Sequence, residues 1–188
     1  MNSVLIAPHN DDETLFAAYT IMRERPHVIV ALSDPHNGRK REQETRTAVD
    51  WLTAGRSSVE HWGFDCSCPD WEGLSSAIGE LARYDRVWAP AVVGEASGYV
   101  LGEAPENGWG VLQHEHLGWL AQNILRARVR RYCLYTRWHG RHKVREIVPT
   151  GVEIARKLVA LSCYESAIAD RATRSWFYEN LDLREWTA

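Results

Sequence analysis

No stretch of this 188-residue chain is long and apolar enough to cross a bilayer. Its first residues lack the charged and then apolar regions of a secretory signal and already read as a strand, so a cytoplasmic protein is expected. Cysteine is scarce. Cys66, Cys68, Cys133 and Cys163 make no disulfide framework for this length. Cys66-x-Cys68 with His61 nearby is open to reading as a small metal site, although shielded thiols are the commoner case. Neither sign of charge dominates: a net charge of −3 gives no bulk attraction to nucleic acid or to a membrane. Internal repeats and low-complexity tracts are missing, and no signature of an oligomeric state is visible. The 45% of hydrophobic residues suits one globular domain over 1–188 with a sizeable core.

The densest chemistry follows the first strand. Val4-Leu5-Ile6-Ala7 is a short apolar run bounded by Pro8, which reads as a buried strand. His9-Asn10-Asp11-Asp12-Glu13 comes directly after it, and a helix begins at Thr14. In open α/β sheets ligands bind at that strand edge. His9 and Asp12 are three apart on a turn entering a helix, so they can converge on one point, and imidazole nitrogen with carboxylate oxygen suits zinc. Asp11 between them can stay off a metal yet near its water, as a general base should. Asn10 or Asp11 could instead cap the helix, where acids complement its dipole. Capping alone does not require a histidine.

Beyond this cluster, Val28-Ile29-Val30-Ala31-Leu32 is a second buried strand. Two strands apolar throughout, joined by a helix, predict an α/β fold with a mostly parallel sheet covered by helices on both faces. The alternation continues: a helix over Arg39–Ala54, a less regular strand over Val59–Phe64, a helical stripe of Leu74, Ile78, Leu81 and Ala82, and a strand over Arg86–Pro90. A polar, glycine-rich stretch follows over 94–110, in which Tyr99 and Trp109 could stack on a sugar ring or pack on the core rim. Another helix opens near Val111, strands follow over 130–136 and 144–148, and one last long helix over 150–169 is capped by Thr150. That makes about five to six strands in all. The arginines near 126–141 read better as a solvated face than as a site for nucleic acid or a phosphorylated substrate.

The stretch Pro8-His9-Asn10-Asp11-Asp12-Glu13 resembles the Ala-His-Pro-Asp-Asp-Glu signature of the LmbE-like, or PIG-L-like, zinc-dependent N-deacetylases. Pro8 stands for the small residue and Asn10 for the proline; the histidine, both aspartates and the glutamate match. Arg41-x-x-Glu44 resembles the family's second feature, whose arginine reaches substrate; an exposed ion pair explains the spacing equally well. Gln113-His114-Glu115-His116 resembles its third feature, His-Pro-Asp-His, whose last histidine completes the metal site and whose first helps stabilise the oxyanion. That resemblance makes His116 the third ligand and puts Gln113 where the first histidine belongs, with His114 a substitute for the oxyanion role. Helical spacing agrees, since Gln113, His116 and Leu120 then share a face and His114 points away; an extended stretch would instead put His114 and His116 on one side. Lys157, Ala160, Tyr164 and Ser166 resemble packing positions of the family's C-terminal helix, and Trp176-Phe177-Tyr178-Glu179 a closing aromatic–acid segment.

The resemblance implies a single Rossmann-like domain and a hydrolase that removes the acetyl group from an N-acetylated amino sugar or conjugate, a small-molecule substrate. One zinc per chain would sit on His9, Asp12 and His116. Asp11, Gln113 and His114 would serve catalysis, with Arg41 and Trp109 against the substrate. The alternatives are a degenerate protein that binds metal and sugar without hydrolysis, and an amidase for a larger N-acyl or thiol-sugar conjugate.

Overall fold

The computed structural model describes residues 2–36, 38–91, 109–133, 145–169, 174 and 184–187. Tyr99, the basic turn over 138–143 and the segment 176–179 lie outside them. The elements are β1 (Ser3–Ala7), α1 (Asp12–Glu24), β2 (His27–Ser33), α2 (Gly38–Thr53), β3 (Val59–Asp65), α3 (Trp71–Gly79), β4 (Arg86–Pro90), α4 (Trp109–Leu125), β5 (Val129–Tyr132), β6 (Arg145–Ile147), α5 (Gly151–Leu161), α6 (Glu165–Ala169) and β7 (Glu185–Thr187). The strands form one sheet in the order β3-β2-β1-β4-β5-β7-β6. Its first five are parallel; β7 pairs antiparallel with β5 and with β6. This is the expected Rossmann-like α/β architecture. The short antiparallel edge closed by β7 was not legible beforehand, because a three-residue strand carries too few positions to show a period.

Residues of β1 alternate between two cores. Leu5 and Ala7 face α1, α2 and α5, joining Leu15, Ala18, Tyr19, Val49, Leu52 and Leu161. Val4 and Ile6 face α3 and α4, joining Leu74, Ile78, Leu117, Ala121 and Leu125. Burying one such aliphatic side chain contributes about 1.5–3 kcal/mol, which is why a central strand tolerates no polar alternation. From β1 the chain winds outward through β2 and β3, then returns to the other side of β1 as β4. The connections from β1 and β4 therefore leave the sheet on opposite faces, and a crevice opens between their C-terminal ends.

A buried ion pair shapes α1. At Ala17 (φ −133°, ψ 15°) the helix departs from helical geometry. The two groups that a regular turn would pair across this point are the Leu15 carbonyl and the Tyr19 amide. Lys157 donates from Nζ to the Leu15 oxygen at 2.8 Å, and the Tyr19 amide donates to Glu185 Oε2 at 2.9 Å. Lys157 and Glu185 are themselves 2.8 Å apart, both side chains are fully buried, and the ammonium lies 5.0 Å from the centre of the Tyr19 ring. Insertion of side chains into the hydrogen-bond ladder is a recognised cause of a helix kink.

The expected long helix over 150–169 is two helices. Thr150 and Glu153 form the capping box that starts α5. After Leu161 the amides of Cys163 and Tyr164 bond to carbonyls three residues back, at Ala160 and Leu161, which tightens and ends the helix. That turn delivers Tyr164, 1% exposed, into the interior behind α1.

Lys157→Met leaves Glu185 charged and unpaired in the core, and should cost about 3–5 kcal/mol in chemical denaturation. The double variant Lys157→Met, Glu185→Leu should recover much of that loss. It should stay below wild type, because the Leu15 carbonyl and the Tyr19 amide then have no partner.

Candidate metal centre

The turn between β1 and α1 is built backward from its polar groups. Asp11 stands at the helix N-cap with φ 102°, a conformation unusual for a residue with a Cβ, and its side chain makes no capping bond. The capping reading of Asp11 therefore fails. The acid at the next positions does the local bonding: Glu13 Oε2 accepts the Asp11 amide at 3.0 Å, and Thr14 donates to Glu13 Oε1 at 2.8 Å. Tyr164 also donates its hydroxyl to Glu13. Burial pushes the Glu13 carboxyl up to about 7, against the pull of those hydroxyls. Asn10, buried where the motif it resembles has proline, accepts from Thr45 Oγ1 at 2.9 Å and pairs with His61 Nε2 at 3.0 Å. Glu44 accepts from the Ser166 amide at 2.8 Å and from its hydroxyl. Thus Thr45 of α2, His61 of β3 and Tyr164, in the turn between α5 and α6, grip the β1–α1 turn from behind, and Ser166 ties the start of α6 to α2.

Across the crevice, α4 approaches β4 at Gly118. A Cβ on Gly118 would lie 2.3 Å from the Pro90 carbonyl oxygen. Gly118 is one turn beyond His114, so the face that meets the sheet is the face that carries His114. The imidazole of His114 reaches Asp12 Oδ2 at 2.8 Å through Nε2, and that nitrogen is 3.3 Å from His9 Nδ1. His9 Nδ1 is 3.3 Å from the same carboxylate oxygen. His9, Asp12 and His114 each offer one ligand atom, and these atoms lie within 4.8 Å of one another.

His116 is not part of this group. It lies two residues on, on the opposite side of α4, and its ring stacks on Trp71 of α3 with centroids 4.0 Å apart and planes 3° from parallel. Burial lowers its pKa. The expectation that His116 completes the site is corrected: α4 is helical as foreseen, but His114 occupies its sheet-facing side. Gln113 is also displaced from its expected role. Its Oε1 is 2.7 Å from His9 Nε2 and its Nε2 donates to the Cys66 carbonyl, so both ends of the amide are engaged away from a substrate carbonyl. Cys66 and Cys68 join no metal-ligating group among the described residues. Trp109 is the first residue of α4, four before Gln113; its side chain lies outside the described residues.

The group fits a cation. Asp12 Oδ1 is buried with no hydrogen-bond partner among the described residues, the kind of orphaned acceptor that an ion satisfies. Burial raises the Asp12 carboxyl, but His114 and then His9 outweigh it through charge and hydrogen bonding, so its pKa is lowered and the group is held as carboxylate. Two imidazoles and one carboxylate, with no thiolate, are a donor set that suits zinc. Asp11 beside them is different. It is buried, 2% exposed, and that desolvation, reinforced by the Asp12 charge and opposed by Arg41, raises its pKa well above the usual carboxylate value. Arg41 is half-buried at the start of α2, and its Nε has no hydrogen-bond partner among the described residues.

Fold and site together define an α/β protein with a candidate metal centre at the C-terminal edge of its parallel strands. Among solved structures, the chain is similar to the N,N'-diacetylchitobiose deacetylase from Pyrococcus horikoshii complexed with its inhibitor MPG, with a TM-score of 0.59 and 18% sequence identity over 88% of this chain and 70% of that one. At this identity the likeness carries the fold. No protein-family model matches the sequence, and no curated protein does. Among the described residues no helix is long and apolar enough to cross a membrane.

Gly118→Ala should force α4 away from Pro90 and carry His114 with it. Denaturation should show a loss of about 1–3 kcal/mol. Divalent-metal affinity should fall in the same variant, whereas an Ala at the more open Gly79 should leave metal affinity unchanged.

Proposed function

We propose that the protein is a zinc-dependent hydrolase that removes the acetyl group from an N-acetylated amino sugar or sugar conjugate. The observation that carries the reading is the convergence of His9, Asp12 and His114 around a buried, partnerless carboxylate oxygen, with the high-pKa carboxyl of Asp11 alongside. A fold shared with an N,N'-diacetylchitobiose deacetylase supports the substrate class. His9, Asp12 and His114 would hold one zinc. When bound, it supplies Lewis acidity that polarises the acetamide carbonyl and acidifies water toward neutrality.

The chain's own groups do the rest. Asp11 accepts the proton that the attacking water gives up, and returns it to the amine nitrogen as the carbon–nitrogen bond breaks, so acetate and free amine leave. A raised pKa suits both halves of that exchange, because the carboxyl must take a proton and release it near neutral pH. Its release from capping duty leaves the carboxyl available. Arg41 binds the sugar's polar substituents, and Trp109, the first residue of α4, is the aromatic assigned to the sugar ring. The oxyanion roles first expected of Gln113 and His114 pass to neither, since one is anchored to Cys66 and the other is a ligand. The alternative, a protein that binds metal and sugar without turnover, draws its support from that missing donor.

Metal analysis of the purified protein, followed by amine release from a panel of N-acetyl and larger N-acyl amino sugars, separates these readings. Asp11→Asn should keep zinc and lose on the order of 10²–10⁴ in kcat. His114→Ala should lose zinc and activity together, while His116→Ala should retain zinc. Undiminished turnover in Asp11→Asn, or zinc loss confined to His116→Ala, would overturn the assignment.

A further inference from the structure

We infer that Gln113 is a positioning residue that selects which nitrogen of His9 faces the metal. The inference rests on the metal-site reading above and adds a role for a residue that no part of that reading uses.

A backbone carbonyl fixes the orientation of the Gln113 amide. Cys66 directly follows β3, and its amide donates to the Ser33 carbonyl at 3.1 Å, so its own carbonyl is held in place. A carbonyl can only accept. The end of the Gln113 side chain that meets it must therefore be the amide nitrogen, since the opposite orientation would set two oxygens against each other. With the nitrogen fixed on Cys66, Gln113 Oε1 must be the atom 2.7 Å from His9 Nε2. An amide oxygen also only accepts, so His9 Nε2 carries the proton. In a neutral imidazole the other nitrogen then bears the lone pair. That nitrogen, Nδ1, is 3.3 Å from His114 Nε2 and 3.3 Å from Asp12 Oδ2, where the three ligand atoms converge; a proton on Nδ1, present when the ring is charged and bonded to Asp12, is the one an ion replaces.

Without Gln113, the neutral ring of His9 is free to exchange tautomers, and a fraction of the protein would turn an N–H rather than a lone pair toward the ion. Partners behind ligating histidines typically contribute 10- to 100-fold in metal affinity. Here the partner is an amide, which orients the ring without adding a negative charge beside Asp12.

Two measurements test this. Nitrogen NMR of histidine-labelled, metal-free wild type at mildly alkaline pH should show His9 as the Nε2–H tautomer; an Nδ1–H tautomer would overturn the inference. Zinc affinity, measured by chelator competition, should fall about 10- to 100-fold in Gln113→Leu. Gln113→Glu keeps an acceptor against His9 while setting an oxygen against the Cys66 carbonyl, and should lose less zinc affinity than Gln113→Leu. Equal losses in the two variants, or none in Gln113→Leu, would reduce Gln113 to a packing residue. If wild type binds no zinc, the proposed function fails, while the tautomer of the metal-free protein still decides the role of Gln113.

Discussion

A single interrupted turn in α1 governs where the site can be. The first turn of this helix carries Asp12 and Glu13 and must point into the crevice, while its remainder must lie along the sheet. One straight helix need not satisfy both directions. The ion pair of Lys157 and Glu185 resolves the conflict by supplying, from α5 and β7, the donor and the acceptor that the helix lacks at its bend. Buried ion pairs are poor sources of net stability, because desolvation consumes most of the attraction. What this pair contributes is placement: it ties the far end of the chain to the helix that begins next to β1. The short antiparallel strand β7 exists in the same arrangement, since Glu185 is its first residue.

Behind the first turn the same logic recurs at smaller scale. Asp11 is held at positive φ, a conformation that costs free energy and persists only where neighbours over-determine it. Those neighbours are visible. Glu13 takes the Asp11 amide, Tyr164 and Thr14 hold Glu13, and Thr45 and His61 hold Asn10. The long-range contacts come from the turn between α5 and α6, from α2 and from β3, so the turn is fixed by tertiary structure, with little owed to its own propensity. The departure from proline at position 10 makes sense in this setting. Proline would rigidify the turn locally, whereas Asn10 rigidifies it through an oxygen shared by two other elements.

Much of this was legible in the residues. Continuous apolar runs at 4–7 and 28–32 identified buried parallel strands, and the histidine with three acids identified the site edge. The histidine of α4 that joins His9 and Asp12 was not the one expected. Matching a four-residue pattern selected His116, and helical spacing allowed that face as readily as another. The deciding fact was which side of α4 meets the sheet. A clue existed in Gly118 and Ala121, small residues one and two turns beyond His114, which mark a helix face that approaches backbone closely. His116, by contrast, lies on the side that meets α3 and Trp71, a partner 45 positions earlier in the chain that no local pattern reveals. The break at 162–164 was hidden similarly. Nothing in Ser162-Cys163-Tyr164 forbids a helix; the pull of Glu13 on the Tyr164 hydroxyl is a long-range contact.

Three adjacent acids in this turn end with three different assignments, and environment alone separates them. Asp12 lies against two imidazoles, which overcome its burial and hold it ionised, as the proposed metal site requires. Glu13 is equally buried but surrounded by hydroxyls and an amide, so it is a structural acceptor committed to the turn. Asp11 has the desolvation without the imidazoles, and the charge of Asp12 beside it works in the same direction as burial. Arg41 opposes that rise, so the carboxyl is poised between two influences. The proposed proton exchange calls for such a group, neither held as carboxylate by an imidazole nor bound into the fold. The division of labour follows from which helix or strand stands opposite each side chain, and it would be lost if the turn shifted by one residue in either direction.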